Sequence, residues 1–90
     1  MSIDAAWERI CSHAGEEFLT ITGLPFTYDV RGSYLYVIRD GREVNRSLSR
    51  SNFATALELL PSDGPGALQR LQGPTYTWAI LMDSRVSRGE

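Results

Sequence analysis

The chain predicts an α+β fold, with a small antiparallel sheet of two to three strands packed against three to four helices. Three observations carry that expectation. An apolar stripe at helical spacing runs from Ile3 to Phe18. An aromatic and β-branched hairpin occupies residues 26–38. Beyond Arg50 the apolar residues return to helical spacing, punctuated by Pro61 and Gly73-Pro74.

Ile3, Trp7, Ile10, Cys11, Ala14 and Phe18 fall on one stripe, and Asp4, Glu8, Arg9, Ser12, Glu16 and Glu17 cover the rest. This predicts a helix over 3–18, capped by Ser2. Gly15 offers an earlier end, after which Phe18–Thr22 would start a strand. Gly23-Leu24-Pro25 is a turn. Phe26–Val30 alternates in the strand period, Arg31-Gly32-Ser33 connects, and Tyr34–Ile38 returns. The second strand is apolar on both faces, which suits a central position. Asp40-Gly41 signals another turn, and Arg42–Leu48 reads as a third, less regular strand. If extended, it points Arg42, Val44, Arg46 and Leu48 one way and Glu43, Asn45 and Ser47 the other. Ser49 or Ser51 then caps a second helix with stripe Phe53, Leu57 and Leu60, stopped by Pro61. Ala67–Leu71 makes a short helix. Residues 75–82 match both periods, and Pro74 at a first helical position tips them towards helix. Residues 1–90 thus form a single domain, of which 83–90 read as a polar, frayed tail.

The net charge is −2, and all nine basic residues are arginine. An all-arginine set suits forked contacts to phosphate or carboxylate, but codon bias in a GC-rich genome is the preferred explanation. Without lysine there is no Schiff-base chemistry, no Walker-type phosphate loop and no lysine-dependent nuclease centre. A single cysteine excludes an intramolecular disulfide and a thiolate zinc cluster. No basic region precedes an apolar run at the N-terminus, and Ala79–Met82, the longest apolar run, is too short to span a bilayer. The expectation is a soluble, cytoplasmic protein with no membrane partner.

Candidate chemistry is sparse. His13 is the one histidine, with Glu16 and Glu17 one helical turn on, and it reads as a surface residue beside an acidic pair. Cys11 lies on the apolar stripe and reads as a small hydrophobe. There is no Gly-x-Ser-x-Gly elbow and no Gly-x-Gly-x-x-Gly loop. No catalytic residue, no metal and no cofactor is expected, and the protein reads as a non-enzyme.

The informative segment is Arg31–Arg50, with five arginines against Asp40 and Glu43, a local balance of +3 in a chain whose remainder carries −5. Arg39, Arg42, Arg46 and Arg50, together with Asn45 and Ser49, mix phosphate-gripping and hydrogen-bonding side chains. They are the expected nucleic-acid-binding residues of an accessory or regulatory protein, its partner DNA or RNA. Tyr34 and Tyr36, if exposed, would stack on unpaired bases. Against this stand the acidic balance and the option of surface ion pairs within the chain, for example to Glu58 or Asp29. The alternative is a protein-interaction module or homodimer. It would use exposed aromatic surface, or pair the hairpin edge beginning at Phe26 with a second copy.

Two patterns also carry a resemblance: Gly15-x-x-Phe18-x-Thr20 with Gly23-x-Pro25-Phe26-Thr27-Tyr28-x-Val30, and Gly73-Pro74-Thr75-Tyr76-x-Trp78-Ala79-Ile80-Leu81-x-Asp83-x-Arg85. Together they resemble an uncharacterised single-domain protein family of GC-rich bacteria, chiefly actinobacteria. The resemblance spans nearly the whole chain and implies no activity. It implies that Gly73–Arg85 is a fold signature or shared surface, in which Asp83 and Arg85 would pair to fix the end of the last helix.

Overall fold

The computed structural model describes residues 1–44 and 46–89. The Ser2 hydroxyl accepts the Ala5 N–H at 3.2 Å and so opens α1 (Ile3–Ser12), which buries Ala6, Trp7 and Ile10. The helix stops at Ser12 instead of running towards Phe18, because its last turn is tied to the sheet. The Tyr28 hydroxyl donates to the Ile10 carbonyl at 2.6 Å. Gly15, at φ +88°, donates its N–H to the Tyr28 carbonyl at 2.9 Å. The chain turns at that glycine, and Phe18 enters the core from β1 (Phe18–Leu19) instead of from the helix stripe.

The hairpin of β2 (Pro25–Arg31) and β3 (Tyr34–Arg39) is present, with Tyr28 opposite Val37 and Val30 opposite Leu35. Asp40 and Gly41, at φ +53° and +77°, form the left-handed pair of a tight hairpin turn. They return the chain as β4 (Arg42–Glu43), and β5 (Leu48–Ser49) joins the same edge of β3 further on. The expected third strand therefore exists in two pieces. Ile38 faces Glu43 whereas Leu35 faces Leu48, a register shift of two residues between β4 and β5. This split strand and the short β1 raise the sheet to five strands, more than the two or three expected.

Ser49 caps α2 (Arg50–Leu57) by accepting the Asn52 N–H at 3.1 Å. A 3-10 turn (Pro65–Leu68) buries Leu68, and Pro74 starts α3 (Pro74–Met82), so the ambiguous segment is helical. The stretch from residue 83, expected to fray, begins with α4 (Ser84–Ser87), in which Asp83 caps the first turn and Val86 is fully buried. A single apolar residue in a polar run gives no periodicity, and burial of Val86 is what orders the turn.

Phe26, Tyr28, Leu35, Val37 and Leu48 line one face of the sheet and meet Trp7, Phe53, Ile80 and Val86 in the core. The other face presents Asp29, Arg31, Tyr34, Tyr36 and Ile38, and no helix covers it among the described residues. Asn52 joins the helical layer to the loop before α3. Its Nδ2 donates to the Gln72 carbonyl at 3.0 Å and to Thr77 Oγ1 at 3.3 Å, and its Oδ1 accepts the Gln72 N–H at 3.1 Å. Asn52→Leu keeps the volume and leaves the Gln72 peptide groups unpaired. Urea unfolding is expected to show a loss of about 2–3 kcal/mol, with the m-value unchanged.

Candidate anion-binding cleft

The residues expected to form one basic arm are divided by the fold. Arg39 and Arg42 face each other across β3 and β4, at the tip made by Asp40-Gly41. Arg39 Nη1 donates to the Tyr76 hydroxyl at 3.1 Å, and Arg46 donates to the side-chain oxygen of Gln72. Tyr76 and Arg46 both line a cleft of about 250 Å3, whose other walls are Val37, Val44, Leu48 and Gly73. Arg46 therefore lines an apolar cleft beside the start of α3, Arg39 reaches its Tyr76 wall, and Arg42 stands opposite Arg39 at the neighbouring tip. The hydrogen-bond partners of Arg39 and Arg46 are neutral, and neither arginine makes an ion pair among the described residues, although the Asp40 charge lies near enough to act on Arg39. The bond to Tyr76 also raises the Arg39 pKa above its ordinary value. Arg42 is exposed and makes no ion pair among the described residues.

Arg50 and Ser49 sit at the other end of the arm and serve the fold. Arg50 pairs with Asp4, and its N–H donates to the Ser33 carbonyl at 2.8 Å, while Ser49 is the α2 cap. They border a separate cleft of about 400 Å3 with Ser33, Tyr34 and Ser51. Asn45 lies outside the described residues. Arg31, also in the basic segment, pairs with Glu43 at 2.8 Å and Asp29 at 3.5 Å. Its guanidinium covers the Tyr36 ring at 3.6 Å, so Tyr36 is already stacked, whereas Tyr34 is 48% exposed.

The cleft walls follow from local sequence. Gly73, at φ +52°, turns the chain into α3, and a Cβ there would lie 2.8 Å from Leu48 Cδ2. Only glycine allows α3 to approach the edge strand this closely. Tyr76 is set by an edge-on contact with Phe26, ring centroids 5.0 Å apart. Sequence reasoning named neither Gln72, Gly73 nor Tyr76 as site residues. The Gly-Pro-x-Tyr run was visible, but only the fold brings it to an arm some thirty residues earlier.

The hairpin edge at Phe26 is closed to a second copy by the chain itself. β1 pairs with it at Phe26, Gly15 occupies the Tyr28 carbonyl, and Asp29 Oδ1 accepts the Val30 N–H at 3.0 Å. Among the described residues no group of histidine, cysteine and carboxylate side chains could hold a metal, and no helix is long and apolar enough to cross a membrane. Cys11 is exposed, and desolvation of its sulfur outweighs the nearby Arg50 charge, holding the thiol above its ordinary pKa. Comparison with family models, with curated proteins and with solved structures finds no match for this chain.

His13 belongs to a network of titratable side chains remote from the cleft. Its Nδ1 lies 2.9 Å from Glu16 Oε2, and Arg85 bonds Glu16 at 3.1 Å, Asp83 at 2.9 Å and the Glu17 carbonyl at 2.9 Å. The Arg85 guanidinium also lies 3.7 Å over the Phe18 ring, so one side chain ties α4 to β1 and the loop before it. The Arg85 bond holds the Asp83 carboxyl below its ordinary value; His13 first and Arg85 after it do the same for Glu16. Carboxylates with lowered folded values stabilise the fold fully above their ordinary range and lose that contribution as pH falls through the lowered values. Stability is therefore expected to decline below about pH 4. Arg85→Ala should weaken this acid dependence and cost about 1–2 kcal/mol at neutral pH, both read from urea titrations across that range.

Proposed function

We propose that the protein is a non-catalytic binding module, a nucleic-acid-associated accessory or regulatory protein that holds phosphate at Arg39, Arg42 and Arg46. One observation carries the reading. Among the described residues Arg46 on the cleft, Arg39 on its Tyr76 wall and Arg42 opposite Arg39 make no ion pair, whereas Arg31 and Arg50 are matched by carboxylates. In a chain of net charge −2, charge left uncompensated at one place is the surface that attracts an anion. Arg50 and Ser49 leave the binding set, which narrows to the β3–β4 tip and Arg46.

Fluorescence anisotropy against labelled DNA and RNA tests this. Affinity on the order of micromolar is expected at low salt, falling linearly with salt on logarithmic axes. Arg42→Ala with Arg46→Ala should abolish most binding and reduce the salt slope by roughly 1–2. Arg50→Ala should leave binding nearly unchanged, because that charge is matched by Asp4. Absence of binding at low salt, where attraction is strongest, would overturn the reading.

A second reading rests on the uncovered sheet face, where Tyr34 stands exposed in line with Tyr36 and Ile38. Tyrosine and arginine on an open face suit a protein partner or a second copy. Sedimentation equilibrium over a wide concentration range is the check. This reading expects self-association that Tyr34→Glu removes, and the nucleic-acid reading expects a monomer throughout.

A further inference from the structure

We infer that the cleft between the edge strand and α3 is a seat for one unpaired nucleobase, so that the partner is a single-stranded or locally opened nucleic acid. The inference rests on the phosphate reading of Arg39, Arg42 and Arg46, and adds what lies beside the phosphate.

The cleft has two chemistries. Its walls are apolar, with Val37 from the sheet, Val44 and Leu48 from the edge strand, and Tyr76 from α3. Its rim is cationic and amide-bearing, with Arg46 held on Gln72 and Arg39 held on Tyr76. A bare phosphate would satisfy the rim and leave the walls wet. A purely aliphatic guest would fill the walls and leave the charges without a counter-ion. A nucleotide matches both, because a flat, weakly polar base adjoins an anion. The volume of about 250 Å3 falls just below the roughly 300–1,000 Å3 of pockets for drug-sized ligands, a size that suits one ring system.

Duplex bases cannot enter such a cleft, since they are paired and stacked inside the helix. An unpaired base enters at little unstacking cost. Gln72 holds Arg46 through its side-chain oxygen, and its amide N–H groups are donors that a base edge can accept from. Gly73 and Leu48 both line the cleft, and a Cβ at 73 would press on Leu48.

The test compares a thymidine hexanucleotide with a hexamer of abasic residues carrying the same phosphates, by anisotropy at low salt. The wild-type protein should bind the thymidine strand about tenfold more tightly. Val44→Trp, which fills the cleft from the half-buried edge, should close that gap while leaving phosphate-driven binding in place. Val44→Met is the milder companion, expected to narrow the gap with little effect on the fold. Equal affinity of the wild type for both strands would overturn the base seat and leave the phosphate reading standing. A gap that persists in both folded Val44 variants would also overturn it, because the base would then be bound elsewhere. Binding of neither strand would overturn the phosphate reading, and the base seat with it.

Discussion

The buried carboxamide of Asn52 is the contact on which the helical side of the molecule depends. It is 9% exposed and spends all three of its bonds on the Gln72 peptide and Thr77. The Thr77 hydroxyl in turn donates to the Gln72 carbonyl at 3.2 Å, and the Thr77 N–H closes the first turn of α3 on Gly73 at 2.9 Å. A loop that begins after α2 is thereby returned to α2, at a point where its polar backbone would otherwise be buried without partners. Gly73 then stands against Leu48, and α3 against the edge strand. The candidate cleft is the space this arrangement leaves between them. Among the described residues every buried side-chain nitrogen and oxygen has a partner, which is the condition for such a polar contact to stabilise and not to strain the core.

The charges follow a second pattern. Arginines that meet carboxylates in this protein act as fasteners. Arg50 ties α2 to the start of α1, Arg85 ties α4 to β1 and the loop before it, and Arg31 braces the open sheet face over Tyr36. Arginines at the cleft meet a phenol and an amide instead, so their positions are held while their charges stay available. Ordering a long side chain before a ligand arrives lowers the entropy lost on binding. The protein's overall acidity and a local cationic site are thus compatible, because most of the acids are engaged elsewhere or lie away from the arm.

Much of the fold was legible from local pattern. The β2–β3 hairpin showed its alternation, Asp40-Gly41 its turn, Ser49 its cap and Pro74 the start of α3. Features that depended on contacts far apart in the chain were not. Gly15 offered the early end of α1 as one option, but the contact that selects it, Tyr28 with Ile10 eighteen residues earlier, was not visible, nor was the burial of Val86 that orders α4. The register shift between β4 and β5 leaves no mark in the hydrophobic alternation, since Val44 and Leu48 keep the same parity. The candidate site was half legible for the same reason. Charge clustering picked out the arm, but a count of arginines cannot tell a paired guanidinium from an available one. Asp4 removes Arg50 from the set only after folding brings α1 beside α2.

The central claim is that Arg39, Arg42 and Arg46 act as one site over the cleft. The most direct measurement is NMR shift mapping of backbone amides and arginine Nε–H groups during titration with a short single strand. Shifts confined to the β3–β4 tip, Val44, Arg46 and residues 72–77 are predicted. Shifts centred on Tyr34, Ser49 and Arg50, or none at all, would contradict it.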